Sequence, residues 1–390
     1  MSTPDGPSKI TRRLRSRVKT AVEDRIPNGW QSRLGMLRGI FVQDTTRQLG
    51  RLTTVLRHLK DYRRIDRALF YHRYAASLLL AYHLGLFEAL DGGPREPDTI
   101  ARRLRIRPEA ARNLLQILLS QNLVRCTEGR YELTEFAAEF FNPDSDVSLV
   151  PMLEVAETYA RAYPHFFDAA ESGAAPGLLD VFDEEGRVDA LLTGVNSYLD
   201  QAGRELIARV DWPDIRHFIV GSMGVSFSSL LLSEFPHARV TYGCLPHLVE
   251  RIPHLRRRYD VPPDRVVDMH AHGGEPDEDR WGREAFDLVF LTKKMILDPE
   301  NHLGEKFARK AHHVLQPGGV ALFWETIHAS HDTTCPDRGM ETFLDFGVSP
   351  TAPVLTEDGF RRDLQNIGFS DIDVVPVLDG TTTFAVARKN

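Results

Sequence analysis

The carboxy-terminal part of the chain alternates short, almost continuously apolar runs with longer amphipathic ones. From Ile215 onward the apolar runs are HFIV, ARVTYGC, DRVVDMH, FDLVFLT and GVALFWETI. Apolar strands separated by helical patterns are typical of a parallel sheet with helices on both faces. The last two runs, DIDVVPVL and TTTFAVAR, flank Asp379-Gly380, a turn signal that predicts an antiparallel last strand. The predicted fold class is therefore α/β, with a mainly parallel sheet over residues 213–390.

Helical periodicity dominates the part of the chain before this sheet. Residues 8–65 contain two amphipathic, arginine-rich runs separated by a helix-breaking Pro-Asn-Gly sequence. Three further helical patterns follow, and then Val124 and Tyr131 flank a Glu128-Gly129 turn, which predicts a two-stranded wing after a helix-turn-helix. We predict four parts: a basic helical extension (1–65), an N-terminal winged-helix domain (66–151), linking helices (152–212) and the α/β domain (213–390).

Charge is distributed unevenly along the chain. The net charge of −7 over 390 residues gives no general reason to expect nucleic acid as a partner. Residues 1–75, in contrast, hold about 17 Lys and Arg against about 6 Asp and Glu. We expect this basic arm to pack on the rest of the protein or on a second subunit, with an anionic membrane or a partner surface as the alternative. The winged helix offers few polar side chains for reading DNA bases.

The cysteines and the length of the apolar segments indicate a cytoplasmic protein. Cys126, Cys244 and Cys335 lie far apart without a C-x-x-C pair, which argues against a disulfide framework and a cysteine zinc site. The longest apolar stretch, residues 75–90, is interrupted by polar residues and is too short to span a bilayer. We therefore expect neither secretion nor membrane insertion.

Five motifs carry a resemblance to one enzyme family. They are LGLFEAL, YELTEFAAEFF, FPHARVTYGCLPHLVERI, LQPGGVALFWE and LTEDGFRRDLQNIGFSDIDVV, and together they extend over roughly residues 70–390. They resemble the class I S-adenosylmethionine-dependent O-methyltransferases of the dimeric winged-helix type, which methylate hydroxylated aromatics in plants and in bacterial secondary metabolism. The resemblance implies a Rossmann-like domain, a winged-helix dimerisation domain, S-adenosylmethionine as cofactor, a homodimer and a small aromatic or apolar substrate.

The cofactor turn implied by the resemblance has unusual residues. In the family an acidic residue ends the first strand and a G-x-G-x-G turn follows, whereas this chain has Ile219 and then GSMGV at residues 221–225. A non-glycine residue held at positive φ in such a turn would cost about 1–3 kcal/mol. The side chain of Met223 would also occupy space that the cofactor needs. The turn therefore predicts impaired cofactor binding.

The remaining cofactor positions of the family also differ in this chain. The second strand ends in Cys244, where the family has an aspartate for the two ribose hydroxyls, and a thiol is a weaker acceptor than a carboxylate. The loop near the adenine reads His-Ala-His at residues 270–272 instead of carrying an aspartate. We predict weak or absent binding of S-adenosylmethionine. The positions that match the family's cofactor site are Gly221, Met223, Gly224, Cys244, Leu245, His272 and Lys293.

The catalytic positions implied by the resemblance are incomplete. The family carries a His-Asp pair after the fourth strand, and its histidine is the general base. This chain has Ile296 and Leu297 there, with Asp298 one residue later, while Glu325 matches an acidic residue that holds the histidine in the family. Asp298 and Glu325 are therefore the catalytic candidates. The substrate pocket implied by the family geometry comprises Tyr159, Tyr163, Phe166, Phe167, Met340, Phe343 and Leu344.

Three interpretations of function stay open on the sequence. The protein methylates an acceptor that needs little base, since methyl transfer depends mainly on proximity and orientation when the acceptor is already ionised. Alternatively it is a repurposed enzyme for hydroxylation, decarboxylation or pericyclic chemistry, or a catalytically inactive partner protein. A metal site formed by His270, His272, His328 and His331 is also conceivable, but H-x-H and H-x-x-H are loose patterns, and solvated loop histidines are the favoured interpretation.

Overall fold

A computed structural model gives the structure of the protein. It describes residues 59–145, 148–173, 187–271, 281–293, 302–330, 342, 345, 349 and 351–390. The chain divides into two units, Met1–Leu78 and Leu79–Asn390. The described helices are α1 (Leu59–His83), α2 (Leu86–Leu90), α3 (Pro97–Leu104), α4 (Pro108–Ser120), α5 (Glu135–Phe140), α6 (Val150–Ser172), α7 (Val188–Arg209), α8 (Val225–Glu234), α9 (Ile252–Arg258), α10 (Leu303–Val314) and α11 (Glu357–Ile367).

The winged-helix region has the predicted order of elements. After α3 and α4, strands β1 (Val124–Thr127) and β2 (Arg130–Leu133) pair antiparallel. Their two-residue turn is Glu128-Gly129, and both residues have positive φ (51° and 76°), as a tight hairpin requires. The apolar stretch of residues 75–90 is divided between α1 and α2, because Gly85 adopts φ 73° between the two helices.

A seven-stranded sheet forms the centre of the carboxy-terminal region. Its order is β10-β11-β7-β6-β3-β4-β5, with β3, β4, β5, β6 and β7 parallel and β10 and β11 antiparallel. The predicted mainly parallel sheet with an antiparallel last strand is confirmed. The strands are β3 (His217–Val220), β4 (Arg239–Cys244), β5 (Val266–Ala271), β6 (Phe286–Thr292), β7 (Leu315–Glu325), β10 (Phe369–Val377) and β11 (Thr382–Lys389), and the short strands β8 (Ile327–His328) and β9 (Leu355–Thr356) pair separately.

Helix α7 packs closely on its neighbours because it contains two buried glycines. A Cβ at Gly194 would lie 2.6 Å from a methyl group of Val155 on α6. A Cβ at Gly203 would lie 2.7 Å from the ring of Phe227 on α8. Both distances are shorter than real Cβ contacts, so the close approach of the three helices depends on glycine at these two positions.

The core of the sheet domain lies on both faces of the sheet. One cluster includes Phe218, Tyr242 and Phe384 and contacts α7 and α8. The other includes Phe307, Phe323 and Phe360 and contacts α10 and α11. None of the described helices combines the length and the apolar character that a membrane span requires.

Candidate functional site

The turn after β3 carries the glycine motif of the sequence. Gly221 leaves the strand with extended backbone (φ −81°, ψ 178°), and Ser222–Gly224 form one turn of 3-10 helix that continues into α8. Val225 has ordinary helical angles (φ −64°, ψ −43°), and Met223 is not among the residues with positive φ. The prediction that non-glycine residues strain this turn is therefore wrong, because a short helical turn accepts any side chain.

The two glycines of this turn have different structural roles. A Cβ at Gly224 would lie 2.8 Å from the ring of Phe290 and 3.2 Å from Cβ of Val220, so this glycine lets the start of α8 pack directly on the sheet. A Cβ at Gly221 would make only an ordinary contact, 3.6 Å from the carbonyl oxygen of Gly243 on β4. Packing within the protein therefore requires glycine at position 224 and not at position 221.

A cavity lies beside this turn at the carboxyl ends of β3, β4 and β6. It encloses about 80 Å³. Pockets for small molecules usually enclose about 300–1,000 Å³, so this space holds only part of such a ligand. The walls are mainly apolar side chains, with backbone at two glycines. The lining residues are Ile219, Val220, Gly221, Ser222, Met223, Gly243, Leu245, Leu248, Trp281, Val289, Phe290, Leu291, Thr292 and Phe307.

The thiol of Cys244 offers no charge to a ligand of this cavity. The residue is 2% exposed at the end of β4, and its sulfur accepts the backbone N–H of Ser222. Burial raises the pKa of the thiol to about 12, and the hydrogen bond opposes that rise only in part. The thiol is therefore neutral at physiological pH, and its hydrogen bond lies within the protein.

A polar cluster lies at the carboxyl ends of β6 and β7. The ammonium group of Lys293 donates to the hydroxyl of Thr326 and lies 3.1 Å from Oδ1 of Asp345. His328 Nε2 lies 2.7 Å from the hydroxyl of Thr342. Thr342 and Asp345 both have helical conformation and are three positions apart in the chain, so the two contacts connect neighbouring positions of the chain to the strand ends. Glu325 is the last residue of β7 and precedes Thr326 of this cluster in the chain. It is fully buried.

A second and larger cavity of about 500 Å³ has polar walls. Tyr82 donates to Oε1 of Glu154 at 2.7 Å, and burial together with that carboxylate raises the pKa of the phenol. Arg187 donates to Oε2 of Glu157 at 2.8 Å, and this hydrogen bond lowers the pKa of the carboxyl. Two of the carboxylates in the walls of this cavity are therefore already hydrogen-bonded to other side chains of the protein.

The structure brings together part of the predicted cofactor site. Gly221, Met223 and Leu245 line the cavity at the strand ends, while Gly224 and Cys244 pack just behind its wall. Lys293 follows the lining residue Thr292 and forms the ion pair with Asp345. His272 lies outside the described residues, as do Ile296, Leu297 and Asp298.

The predicted substrate pocket is described only on its α6 side. Tyr159 packs on the core cluster beside α7, and Phe166 is buried with Tyr163 edge-on at 5.6 Å. None of these three side chains lines the small cavity. Met340, Phe343 and Leu344 lie outside the described residues, as does the side chain of Phe167.

The predicted metal candidates lie mostly in parts that the structure does not describe. His328 forms a hydrogen bond with Thr342, whereas His272, His331 and the side chain of His270 are outside the described residues. Within the described residues, no group of three or more His, Cys, Asp or Glu side chains could hold a metal ion.

Several residues of the site could not be predicted from the sequence. Gly243 lies inside an apolar strand, and a glycine in that place is itself a signal of a close backbone approach. Trp281 and Phe307 come from segments with no recognisable motif. Asp345 is 52 positions from Lys293, and no periodicity connects the two residues. Only the folded chain reveals these contributions.

Comparison with known proteins identifies the winged-helix part. A sequence model described as the O-methyltransferase dimerisation domain matches residues 67–143. The chain is 23% identical over 312 residues to the N,N-dimethyltransferase OxyT of Streptomyces rimosus, covering 77% of this chain and 88% of the relative. It is 26% identical over 180 residues to the 3-hydroxy-5-methyl-1-naphthoate 3-O-methyltransferase of Streptomyces sahachiroi, covering 44% of this chain and 52% of that relative.

Solved structures share the fold over most of the chain. An O-methyltransferase family protein from Burkholderia thailandensis superposes with a TM-score of 0.70 at 16% identity, covering 84% of this chain and 98% of the other. Human N-acetylserotonin methyltransferase, solved in complex with SAM, gives a TM-score of 0.69 at 19% identity, covering 85% and 98%. Residues 67–143 are therefore similar in sequence to the O-methyltransferase dimerisation domain, and the chain shares the Rossmann-like fold of methyltransferases of known structure.

Proposed function

We propose that the protein binds S-adenosylmethionine in the cavity beside β3 and transfers its methyl group to a small secondary metabolite. The observation that carries the proposal is the position of this cavity. It lies at the carboxyl ends of neighbouring parallel strands, where open α/β sheets bind their ligands, and one of its walls is the turn between β3 and α8. Relatives that are methyltransferases by name support the same activity.

The residues of the cavity fit part of the cofactor well. Gly221 and Gly243 lie side by side in the wall of the cavity. No side chain of its own covers the backbone of Gly221, although the surrounding protein leaves room for a Cβ atom at this position. A bare backbone of this kind allows close approach and hydrogen bonding by a ligand. The apolar side chains of Leu245 and Leu248 suit the faces of an adenine ring. The adenosyl part is therefore the part that these residues would hold.

The same residues fit the ribose hydroxyls poorly. The thiol of Cys244 is neutral and hydrogen bonded to Ser222, so the end of β4 lacks the charged acceptor of the family. A hydrogen bond to a charged group contributes about 1.5–3 kcal/mol, and its loss weakens binding about 10-fold to 100-fold. We therefore propose an affinity for S-adenosylmethionine that is low for this family, consistent with the prediction from the sequence.

The chain's own contribution to the reaction is binding, orientation and exclusion of water. S-adenosylmethionine supplies an electrophilic methyl group when it is bound. Met223, Trp281 and Phe307 form apolar walls of the cavity and would exclude water from the part of the cofactor that is bound there. Since the family's base position holds Ile296, we propose that the acceptor arrives already ionised or uncharged with a free lone pair, and that proximity and orientation supply most of the acceleration.

We propose a small aromatic or apolar acceptor and a homodimeric protein. The relatives are named for a naphthoate oxygen and for an amine, so a hydroxylated aromatic and an aromatic amine are both suitable acceptors. The dimerisation domain over residues 67–143 supports the homodimer. Asp298 and Glu325 stay predicted catalytic residues, and the domain limits at 65, 151 and 212 stay predictions. The first 58 residues, and with them most of the basic arm, lie outside the described part.

Calorimetry on the full-length protein tests the proposal. S-adenosylhomocysteine and S-adenosylmethionine are titrated to millimolar concentration, and the melting temperature is recorded with and without ligand. The matched variant is Gly221→Ala, whose added Cβ has room in the protein. We expect wild-type binding and a loss of about tenfold in G221A at an unchanged melting temperature, because the methyl group would separate ligand from backbone.

Two outcomes contradict the proposal. One is a wild-type protein without heat of binding and without a shift in melting temperature. The other is a G221A variant that binds as tightly as wild type, which would place the cofactor away from this turn. If binding is found, transfer of a radiolabelled methyl group to 3-hydroxy-2-naphthoate and to 3-amino-2-naphthoate distinguishes oxygen from nitrogen as acceptor.

A further inference from the structure

Asn196 lies in the middle of α7 and forms hydrogen bonds on two sides. The residue is fully buried. Its Nδ2 donates to the carbonyl oxygen of Leu192 at 2.8 Å and to that of Ser222 at 3.1 Å. Its Oδ1 accepts the backbone N–H of Ser226 at 2.8 Å. One side chain therefore joins α7 to both ends of the turn between β3 and α8.

The contact with Ser226 replaces a local helix cap. Ser226 is the second residue of α8, and the first N–H groups of a helix have no partner within it. The N-cap residue, which precedes the first residue of α8, is Gly224, and it has no side chain to accept them. The amide of Asn196, from a different helix, accepts one of these N–H groups. The orientation of the start of α8 thus depends on a residue that precedes it by 30 positions.

The contact with Ser222 completes the fixation of the turn. The N–H of Ser222 donates to the thiol of Cys244, and its carbonyl oxygen accepts from Asn196. Both backbone polar groups of Ser222 are therefore held, its N–H by β4 and its carbonyl oxygen by α7. Gly221 and Met223, the neighbours of Ser222 in the chain, both line the small cavity.

The same helix also contacts the opposite wall of that cavity. Asp189 forms an ion pair with Arg251 at 2.6 Å, and the hydroxyl of Ser197 lies 3.2 Å from that of Tyr259. Both partners belong to the segment after β4, of which Leu248 lines the cavity. Helix α7 therefore connects the two walls, and Asn196 is its link to the turn.

We propose that Asn196 is a positioning residue for the ligand of this cavity. It acts through Ser222 and Ser226, setting the place of the backbone that a ligand contacts at Gly221, and it does not touch the ligand itself. The proposal rests on the proposed function only in naming S-adenosylhomocysteine as the probe. The placement of the turn by Asn196 is independent of that name.

The test combines ligand affinity with amide exchange in three variants of the full chain. Asn196→Ala removes all three hydrogen bonds. Asn196→Asp keeps an acceptor for Ser226 and removes the donor to Ser222. Thr158→Val is the control. Thr158 lies on α6, the helix next to α7, and is also fully buried, and its hydroxyl donates to the backbone carbonyl of Glu154 in the same helix. All variants are measured at a temperature where each is folded.

We expect a distinct pattern in the two measurements. In N196A the exchange of amides 222–226 is faster by tenfold or more, and the Kd of S-adenosylhomocysteine is raised about tenfold. In N196D the Ser226 amide stays protected while Ser222 is released, so the Kd rises by less. In T158V the Kd stays within about twofold of wild type, even where the melting temperature falls as far as in N196A.

The outcomes that would overturn the proposal are specific. Unchanged exchange at 222–226 in N196A would show that Asn196 does not hold the turn. An equal loss of affinity in T158V and N196A would reduce the effect to general stability. If N196A does not fold, N196D with its released Ser222 decides. A wild-type protein without affinity for S-adenosylhomocysteine contradicts the proposed function, and exchange at 222–226 then decides the role of Asn196 alone.

Discussion

Replacing Gly224 by alanine separates two explanations for a glycine in a nucleotide-type turn. An added Cβ would lie 2.8 Å and 3.1 Å from two ring carbons of Phe290 and 3.2 Å from Cβ of Val220. Phe290 is 3% exposed, and its ring contacts the ring of Phe227 at 5.1 Å between centroids. The ring therefore has little room to move, and the start of α8 must shift away from the sheet.

The cost follows from the packing of this region. Forcing one extra methyl group into a well-packed core costs about 1–3 kcal/mol. For domains of 150–250 residues, 1 kcal/mol corresponds to about 2–4 °C in melting temperature, so G224A should melt roughly 2–12 °C below wild type. The expected order is thus G224A well below wild type and G221A equal to wild type, because the Cβ at 221 meets only an ordinary contact at 3.6 Å.

Urea denaturation and thermal melting of both alanine variants provide the assay. A third variant, Phe290→Leu, makes room for the new methyl group, and the double variant G224A/F290L should lose less stability than the sum of the single changes. The reasoning is refuted if G224A is as stable as wild type, or if F290L gives no relief. In that case glycine at 224 would serve a ligand and not the packing of α8.

Three further predictions concern charge and thiol chemistry. Cys244→Asp supplies a carboxylate at the end of β4, and we expect it to lower the Kd of S-adenosylhomocysteine about tenfold in calorimetry; unchanged affinity would place the ribose elsewhere. Iodoacetamide at pH 8 should label the exposed Cys126 and spare Cys244 until the protein unfolds, since burial raises the pKa of that thiol to about 12; mass spectrometry of labelled peptides would detect early modification of Cys244. Burial lowers the pKa of His217 below its ordinary value of 6.5. The stability of the fold should therefore fall as the pH drops below about 6.5, because the unfolded chain then takes up a proton that the folded chain excludes. H217Q should show a smaller loss of melting temperature than wild type between about pH 7.5 and 5.5.

The sequence predicts the scaffold better than the site. The apolar strands and the Glu128-Gly129 wing follow from local patterns, and the structure confirms both. The turn after β3 differs from the one that the family resemblance implies, because Ser222–Gly224 form a 3-10 turn without positive φ. Local patterns contain no information about a contact such as that of Lys293 with Asp345, because it depends on how distant segments fold together.

The two glycines of α7 have a consequence for how the protein folds. Each glycine makes an isolated helix less stable by about 1 kcal/mol relative to alanine, so α7 is a weak helix on its own. It gains its stability from α6 and α8, which can approach so closely only because Gly194 and Gly203 have no side chains. The helix that carries Asn196 should therefore form late in folding, after the strands that it covers, and the cavity wall should be among the last parts of the molecule to reach its native geometry.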